Sequence, residues 1–359
     1  MDNHIVSIGT ANPGDPIPQE NISDFMKLAH GLSKEDFRKL NFVYKLTGIN
    51  FRHSALTDFR YSQPEKFKFF PKNKELEPFP GTKARMQVFQ KTAADLGIVA
   101  IKSCLGKTDV TVSEVSHLIL VSCTGMFAPG VEMEIIHKMG FSTNIERYCI
   151  HFMGCYAAFN ALRLSDRICD SDTDANVMIV SVELCTIHFQ KTYNEDNLLA
   201  NALFADGAAA ALVSRKGEGL KLKGYQSNVF KEGEKDMAWQ IGDFGFEMRL
   251  SKYIPSLLEK GIHQLKEQME KKFNLSVIQH FAIHPGGKQI LNKVEQAFGI
   301  QKTQNAHAHD VLENFGNMSS STILFVLEKI MQDPKIIGEV LAMGFGPGLT
   351  LETIMLERS

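Results

Sequence analysis

Residues 117–125 read HLILVSCTG, and residues 280–287 read HFAIHPGG. Each is a short apolar run that stops at a loop of small or turn-forming residues. Each follows a helical pattern, at 84–105 in the first case and 256–273 in the second. Apolar runs of this length without alternation fit strands covered on both faces. The agreement continues outward. A helical pattern at 156–170 leads into a strand at 176–182 (NVMIVSV), and one at 319–332 leads into a strand at 338–343 (GEVLAM). Apolar runs at 208–213 (AAAALV) and 349–355 (LTLETIM) close the two copies. Two α/β halves on one plan, each a sheet clothed by helices, predict a five-layered αβαβα sandwich. The polar stretch 214–218 (SRKGE) divides them into halves 1–215 and 219–359. Residues 57–82, rich in Pro, Lys, Phe and Glu, read as a surface excursion.

Composition narrows the function. The chain is 44% hydrophobic and 22% charged with a formal net charge of -2, which lacks the basic excess of a nucleic-acid binder. No run of 18 apolar residues suggests a membrane span, and residues 1–10 lack the basic start and apolar stretch of a secretory signal. The cysteines are Cys104, Cys123, Cys149, Cys155, Cys169 and Cys185, with no CxxC pair. That pattern argues against a disulfide framework and a structural zinc site, so a reducing cytoplasm is expected.

Three residues stand where such a fold gathers chemistry, beyond strand ends and at helix N-termini. Cys155 follows a strand-like run and Gly154, and precedes a good helix former. A thiol at a helix N-terminus gains thiolate character, which thioester exchange requires. His284 ends a strand and opens a Pro-Gly-Gly turn, where it suits pairing with a thiol and donating to a carbonyl oxygen. Asn317 follows Gly316 just before a helix, and its neutral amide suits an enolate oxygen because it does not give up its proton. Each has a plainer reading: a buried structural cysteine, a turn histidine, an N-cap asparagine. Their joint placement in a duplicated frame favours Claisen condensation, with Cys155 accepting an acyl group while His284 and Asn317 stabilise a decarboxylated malonyl enolate. Gly344-Phe345-Gly346-Pro347-Gly348 reads as a rigid turn after a buried strand, and it lacks the Lys-Ser/Thr ending of a phosphate loop.

These motifs resemble the chalcone synthase-like type III polyketide synthases over nearly the whole chain, which have a thiolase-like fold. The resemblance rests on residues 8–13 (IGTANP), Gly154-Cys155, 202–210 (ALFADGAAA), 283–287 (IHPGG), 316–320 (GNMSS) and 344–353 (GFGPGLTLET). It implies a homodimer, a buried cavity reached by a CoA tunnel, and iterative condensation of malonyl-CoA onto an acyl-CoA starter with no organic cofactor or metal. It places Phe204 as a gatekeeper between tunnel and cavity. Cys123, Thr124, Glu183, Cys185, His188, Trp239, Met248 and Ser319 fall where the family lines its cavity.

The departures concern the substrate. Met248 replaces a second gatekeeper phenylalanine, His188 a hydroxyl residue, Trp239 a glycine, and Ala128 a methionine at the dimer interface. Of the basic positions that hold CoA phosphates, Lys39 fits, whereas Phe42 and Leu46 occupy two others, with Lys45 and Arg52 as substitutes. A fatty acyl starter giving an alkylpyrone or alkylresorcinol, as in bacterial members, is the expected outcome. The competing expectations are a carrier-protein-dependent ketoacyl synthase and a non-catalytic acyl-CoA-binding homologue.

Overall fold

The structure is a computed structural model that describes residues 2–230, 237–250 and 254–359. In chain order, the first half contains β1 (His4–Ala11), β2 (Ile17–Pro18), α1 (Gln19–Ala29), α2 (Lys34–Leu46), β3 (Phe51–Arg52), α3 (Thr82–Leu105) and β4 (His117–Ser122). It continues with α4 (Val131–Met139), β5 (Glu146–His151), α5 (Ala157–Ser171), β6 (Asn176–Leu184), α6 (Glu195–Leu203) and β7 (Asp206–Ser214). The second half contains β8 (Leu220–Val229), β9 (Met237–Gly242), β10 (Gly245–Leu250), α7 (Ile254–Glu270) and β11 (His280–Ile283). It ends with α8 (Lys288–Phe298), α9 (Ala306–Phe315), α10 (Thr322–Gln332), β12 (Gly338–Gly346) and β13 (Thr350–Arg358).

The strands repeat one order on either side of a narrow seam. From the seam outward, one half runs β1-β7-β6-β4-β5 and the other runs β8-β13-β12-β11. The seam itself is two residue pairs, His4 with Lys221 and Ile5 with Leu220. Pairing senses match as well: the first three strands of each half are antiparallel neighbours, and the next pairing, β6 with β4 or β12 with β11, is parallel.

Helices α5 and α10 form the middle layer. Helix α5 packs on β4, β6 and β7 and also touches β13, while α10 packs on β11 and also on β1 and β7. That double duty explains the composition of α10, whose residues 322–327 (TILFVL) are all buried: a helix between two sheets has no solvent face. Helix α3 covers the outer face of β1, β6 and β7. Ile262, Leu265 and Met269 of α7 and Leu291 and Val294 of α8 extend the central core on the far side. Among the described residues, no helix is long and apolar enough to cross a membrane.

Two expectations need correction. Residues 57–82 are not a simple surface excursion, because Phe59, Phe67, Phe70 and Leu76 are buried. The buried Asp58 carboxylate ties the segment down by accepting from the backbone N–H groups of Lys68 (3.1 Å), Phe69 (3.0 Å) and Phe70 (2.9 Å). The Gly-Phe-Gly-Pro-Gly run is also not all turn. Gly344, Phe345 and Gly346 are strand, paired with Glu352, Leu351 and Thr350, and the chain turns only at Pro347–Leu349. Asp58→Ala should cost about 2–3 kcal/mol, since three N–H donors lose a charged acceptor in a largely water-free setting. Denaturant unfolding with limited proteolysis of residues 57–82 checks this; an unchanged midpoint would contradict it.

Candidate active site

Cys155 and His284 follow strands as expected, whereas Asn317 follows α9 (Ala306–Phe315) and precedes α10, so it lies at a helix-to-helix turn and not beyond a strand end. Cys155 lies in the short 3₁₀ turn Gly154–Tyr156 that feeds α5. The turn requires Gly154, whose φ is +78° and whose added Cβ would lie 2.1 Å from Pro347 Cδ. The glycine beside Cys155 and the proline of the 344–348 run are therefore packed together. His284 follows β11, and its N–H donates to Met343 O at 2.7 Å, continuing the pairing with β12. Asn317 is clamped to the gatekeeper segment: its N–H donates to Leu203 O (3.0 Å), and its carbonyl accepts from Ala205 N–H (2.8 Å). Phe204 is thereby carried on the same backbone bridge as Asn317.

All three line one cavity, shared with Cys123, Thr124, Cys185, Phe204, Trp239, Met248, Ser319, Phe345 and Pro347. Gly154, Met237, Gly286 and Ile290 also line it. Gly154 and Gly286 were read only as turn residues of their motifs, and Met237 and Ile290 were missed; nearness to Trp239 and His284 in sequence was the available signal. The Asn317 amide donates to Gly286 O at 3.2 Å and its oxygen accepts from Ser319 N–H at 2.9 Å, so its orientation is fixed. Ser319 holds this place with φ of +49°, a left-handed conformation that costs a non-glycine residue energy and clusters at functional sites.

Burial dominates the electrostatics. It pushes the Cys155 thiol up to about 12, against hydrogen bonding from Ser319 and Asn317 that favours the thiolate. It pushes the His284 imidazole down to about 3. His284 is 1% exposed, and neither ring nitrogen has a hydrogen-bond partner among the described residues. Each group alone is therefore neutral. A thiolate or an imidazolium here is favoured only where an opposite charge or a hydrogen-bond donor or acceptor offsets the loss of water.

Other sequence candidates have different tasks from those expected. Glu183 does not line the cavity but lies beneath its wall, accepting from Cys123 N–H (3.0 Å), Thr124 Oγ1 (2.8 Å) and Ser320 Oγ. Its burial raises its pKa, opposed by these hydrogen bonds. His188 lies outside the cavity of Cys155 and lines an adjoining apolar chamber, together with Ile22, Met26, Phe59, Phe189 and Phe246. Cys185, Phe204, Trp239 and Met248 line both spaces. Gly344, Gly346 and Gly348 are backbone supports rather than lining residues. Arg52 is not placed for a CoA phosphate. It is 2% exposed, with Nε donating to Gln19 Oε1 (2.8 Å) and Nη1 donating to Asn201 O (2.9 Å) and Phe204 O (2.6 Å). Its role is to anchor the gatekeeper segment from behind. Lys39 and Lys45 are exposed on α2, and Lys39 pairs with Glu35 (3.2 Å) and Asp36 (3.4 Å). All six cysteines are free thiols, and no group of potential metal ligands occurs among the described residues.

Two α/β halves on one plan, with α5 and α10 packed between their sheets, give the chain a thiolase-like fold. Residues 2–216 match "Chalcone and stilbene synthases, N-terminal domain", and residues 221–359 match "Chalcone and stilbene synthases, C-terminal domain". The chain belongs to this family, the type III polyketide synthases. It is 30% identical over 285 residues to "Alpha-pyrone synthesis polyketide synthase-like Pks18" of Mycobacterium tuberculosis, covering 76% of this chain and 72% of that protein. It is 28% identical to "Putative chalcone synthase" of Bacillus subtilis, covering 98% and 97%. It is also 26% identical to "Probable polyketide synthase 1" of Dictyostelium discoideum, spanning 98% of this chain but 11% of that protein's length. The fold matches two crystal structures at 24% identity and a TM-score of 0.91. One is the C-terminal type III domain of Steely1 from Dictyostelium, covering 100% of this chain and 99% of that one; the other is PKS-I from the brown alga Ectocarpus siliculosus, covering 100% and 98%.

If Cys155 and His284 share a proton, alkylation of Cys155 by iodoacetamide should move to higher pH in His284→Gln. At neutral pH the rate should fall by about tenfold or more, because the thiolate then forms without a proton acceptor. Rate–pH profiles resolved by peptide mass spectrometry measure this. Superimposable profiles for the two proteins would show that thiol and imidazole are uncoupled.

Proposed function

We propose that this chain loads an acyl group from acyl-CoA onto Cys155, extends it by repeated decarboxylative condensation with malonyl-CoA, and releases a cyclised product. The observation that carries the reading is the meeting of Cys155, His284 and Asn317 at one enclosed cavity. In the first step the Cys155 thiolate attacks the thioester carbonyl, and CoA leaves as its thiol, taking back a proton. Malonyl-CoA then loses CO2, and the resulting enolate oxygen takes hydrogen bonds from His284 and the Asn317 amide. The enolate carbon attacks the Cys155-bound acyl carbonyl, a carbon–carbon bond forms and the cysteine thiolate departs. The protein side chains suffice for this sequence, with no organic cofactor or metal.

The largely apolar cavity, with flexible Met248 at its wall, supports a fatty acyl starter. The Mycobacterium relative, named for alpha-pyrone synthesis, supports an alkylpyrone product ahead of an alkylresorcinol. Lys39 and Lys45 on α2 are the cations proposed to meet CoA phosphates. The free thiols suit a reducing compartment such as the cytoplasm. The chain is also proposed to act as a homodimer. Supporting this, β5 is the outermost strand beside β4, and its residues 146–149 (ERYC) are exposed, including Tyr148, so its free edge is open to another copy. Sedimentation that gives the mass of one chain would remove the dimer from the reading.

Cys155→Ala should abolish product formation from acyl-CoA and malonyl-CoA. His284→Gln and Asn317→Ala should each slow CO2 release from malonyl-CoA by about 10²–10³-fold, the usual cost of losing an oxyanion donor. Full turnover by Cys155→Ala, or an unchanged decarboxylation rate in both other variants, would overturn the assignment.

A further inference from the structure

One hairpin divides the two chambers: Thr82 and Gln190 hold its turn, through Thr82 N–H to Asp243 O (2.8 Å), Gly245 N–H to Thr82 Oγ1 (2.8 Å) and Gln190 Nε2 to Phe244 O (3.1 Å) and Phe246 O (3.2 Å), and two aromatic side chains hold it at the partition. Trp239 on β9 and Met248 on β10 are cross-strand partners, and both side chains face the catalytic cavity and the second chamber. The Trp239 indole N–H donates to Cys123 O at 2.7 Å. His188 makes the second attachment: Nε2 donates to Thr124 O at 2.7 Å, and Nδ1 accepts from Phe246 N–H at 2.9 Å. Those two bonds fix a single neutral tautomer. The imidazole stacks on Phe246 at 4.1 Å and meets the Trp239 ring edge-on at 5.7 Å. The hairpin is thus tied to the consecutive carbonyls of Cys123 and Thr124 by one indole and one imidazole.

We infer that Trp239 is a tethered partition, held shut by Cys123 O and the His188 clasp, which a long acyl chain on Cys155 displaces to send its tail into the second chamber. This rests on the condensing function proposed above and adds how that site would sort starters by length. Short acyl groups stay within the catalytic cavity and leave the tether intact. A long tail gains burial against Ile22, Met26, Phe59 and Phe189, and burying several methylenes outweighs one neutral hydrogen bond. Met248 has no ring to stack on the indole, and its unbranched side chain can change rotamer as the indole swings.

Trp239 is the sole tryptophan, so its emission reports the partition directly. In full-length Cys155→Ala, dodecanoyl-CoA should change the emission saturably, whereas acetyl-CoA should leave it unchanged. In turnover, Trp239→Phe keeps a ring but loses the tethering N–H. It should raise the kcat/KM ratio of dodecanoyl-CoA to acetyl-CoA by about fivefold, the weight of one neutral hydrogen bond. His188→Leu, which keeps bulk without either hydrogen bond, should act in the same direction and serves if the first variant misfolds. Equal emission responses to both ligands, or a wild-type ratio in the variants that fold, would overturn the partition. Release of CO2 from malonyl-CoA by the wild type judges the condensing reading separately: its absence would sink that reading, while the emission response would still decide the partition.

Discussion

Burial of a thiol and an imidazole in a common apolar space is the constraint on which the site depends. Away from water, neither a thiolate nor an imidazolium is favourable alone, which is why the thiol is pushed up to about 12 and the imidazole down to about 3. A charge on either group is favoured only where an opposite charge offsets the loss of water, and a thiolate–imidazolium pair is the arrangement that the iodoacetamide profiles test. The same dryness strengthens any hydrogen bond that His284 or Asn317 offers to a developing oxyanion. The backbone must therefore hold these groups rigidly, and it does so through hydrogen bonds and close packing to neighbouring segments. His284 is fixed by β12, Asn317 by the Leu203–Ala205 bridge, and Cys155 by a glycine turn locked under Pro347.

The duplicated fold supplies this placement. Helices α5 and α10 fill the layer between the sheets, and the turns entering them carry Cys155 and, just ahead of Ser319, Asn317. One half contributes Cys155 and the other contributes His284 and Asn317. Glu183 links the two beneath the surface, since it accepts from Cys123 and Thr124 on one side and from Ser320 on the other.

Much of this was legible in the sequence. Strand β4 was read at its observed bounds because an unbroken apolar run between polar ends leaves little choice, and the same holds for β11. The Cys, His and Asn positions were readable because each lies at a glycine-containing turn before a helix: Gly154 precedes Cys155, Gly286 and Gly287 follow His284 after Pro285, and Gly316 precedes Asn317. What was missed depends on long-range enclosure. Arg52 looked like a free cation, yet Gln19 and the carbonyls of Asn201 and Phe204, distant in sequence, surround it. Residues 57–82 looked solvent-facing because of their lysines and glutamates, while the interleaved phenylalanines packed inward around Phe25. Local composition did not reveal that Asp58 would satisfy three backbone donors. His188 and Glu183 were expected in the wall of the catalytic cavity; they stand one layer back, a distance that sequence spacing does not encode.

The most direct test of the central claim is covalent. After incubation with an acyl-CoA and no malonyl-CoA, intact-protein and peptide mass spectrometry should find one acyl group per chain, on Cys155, with loading slowed in His284→Gln. An adduct spread over the other five cysteines, or loading indifferent to His284, would contradict the account.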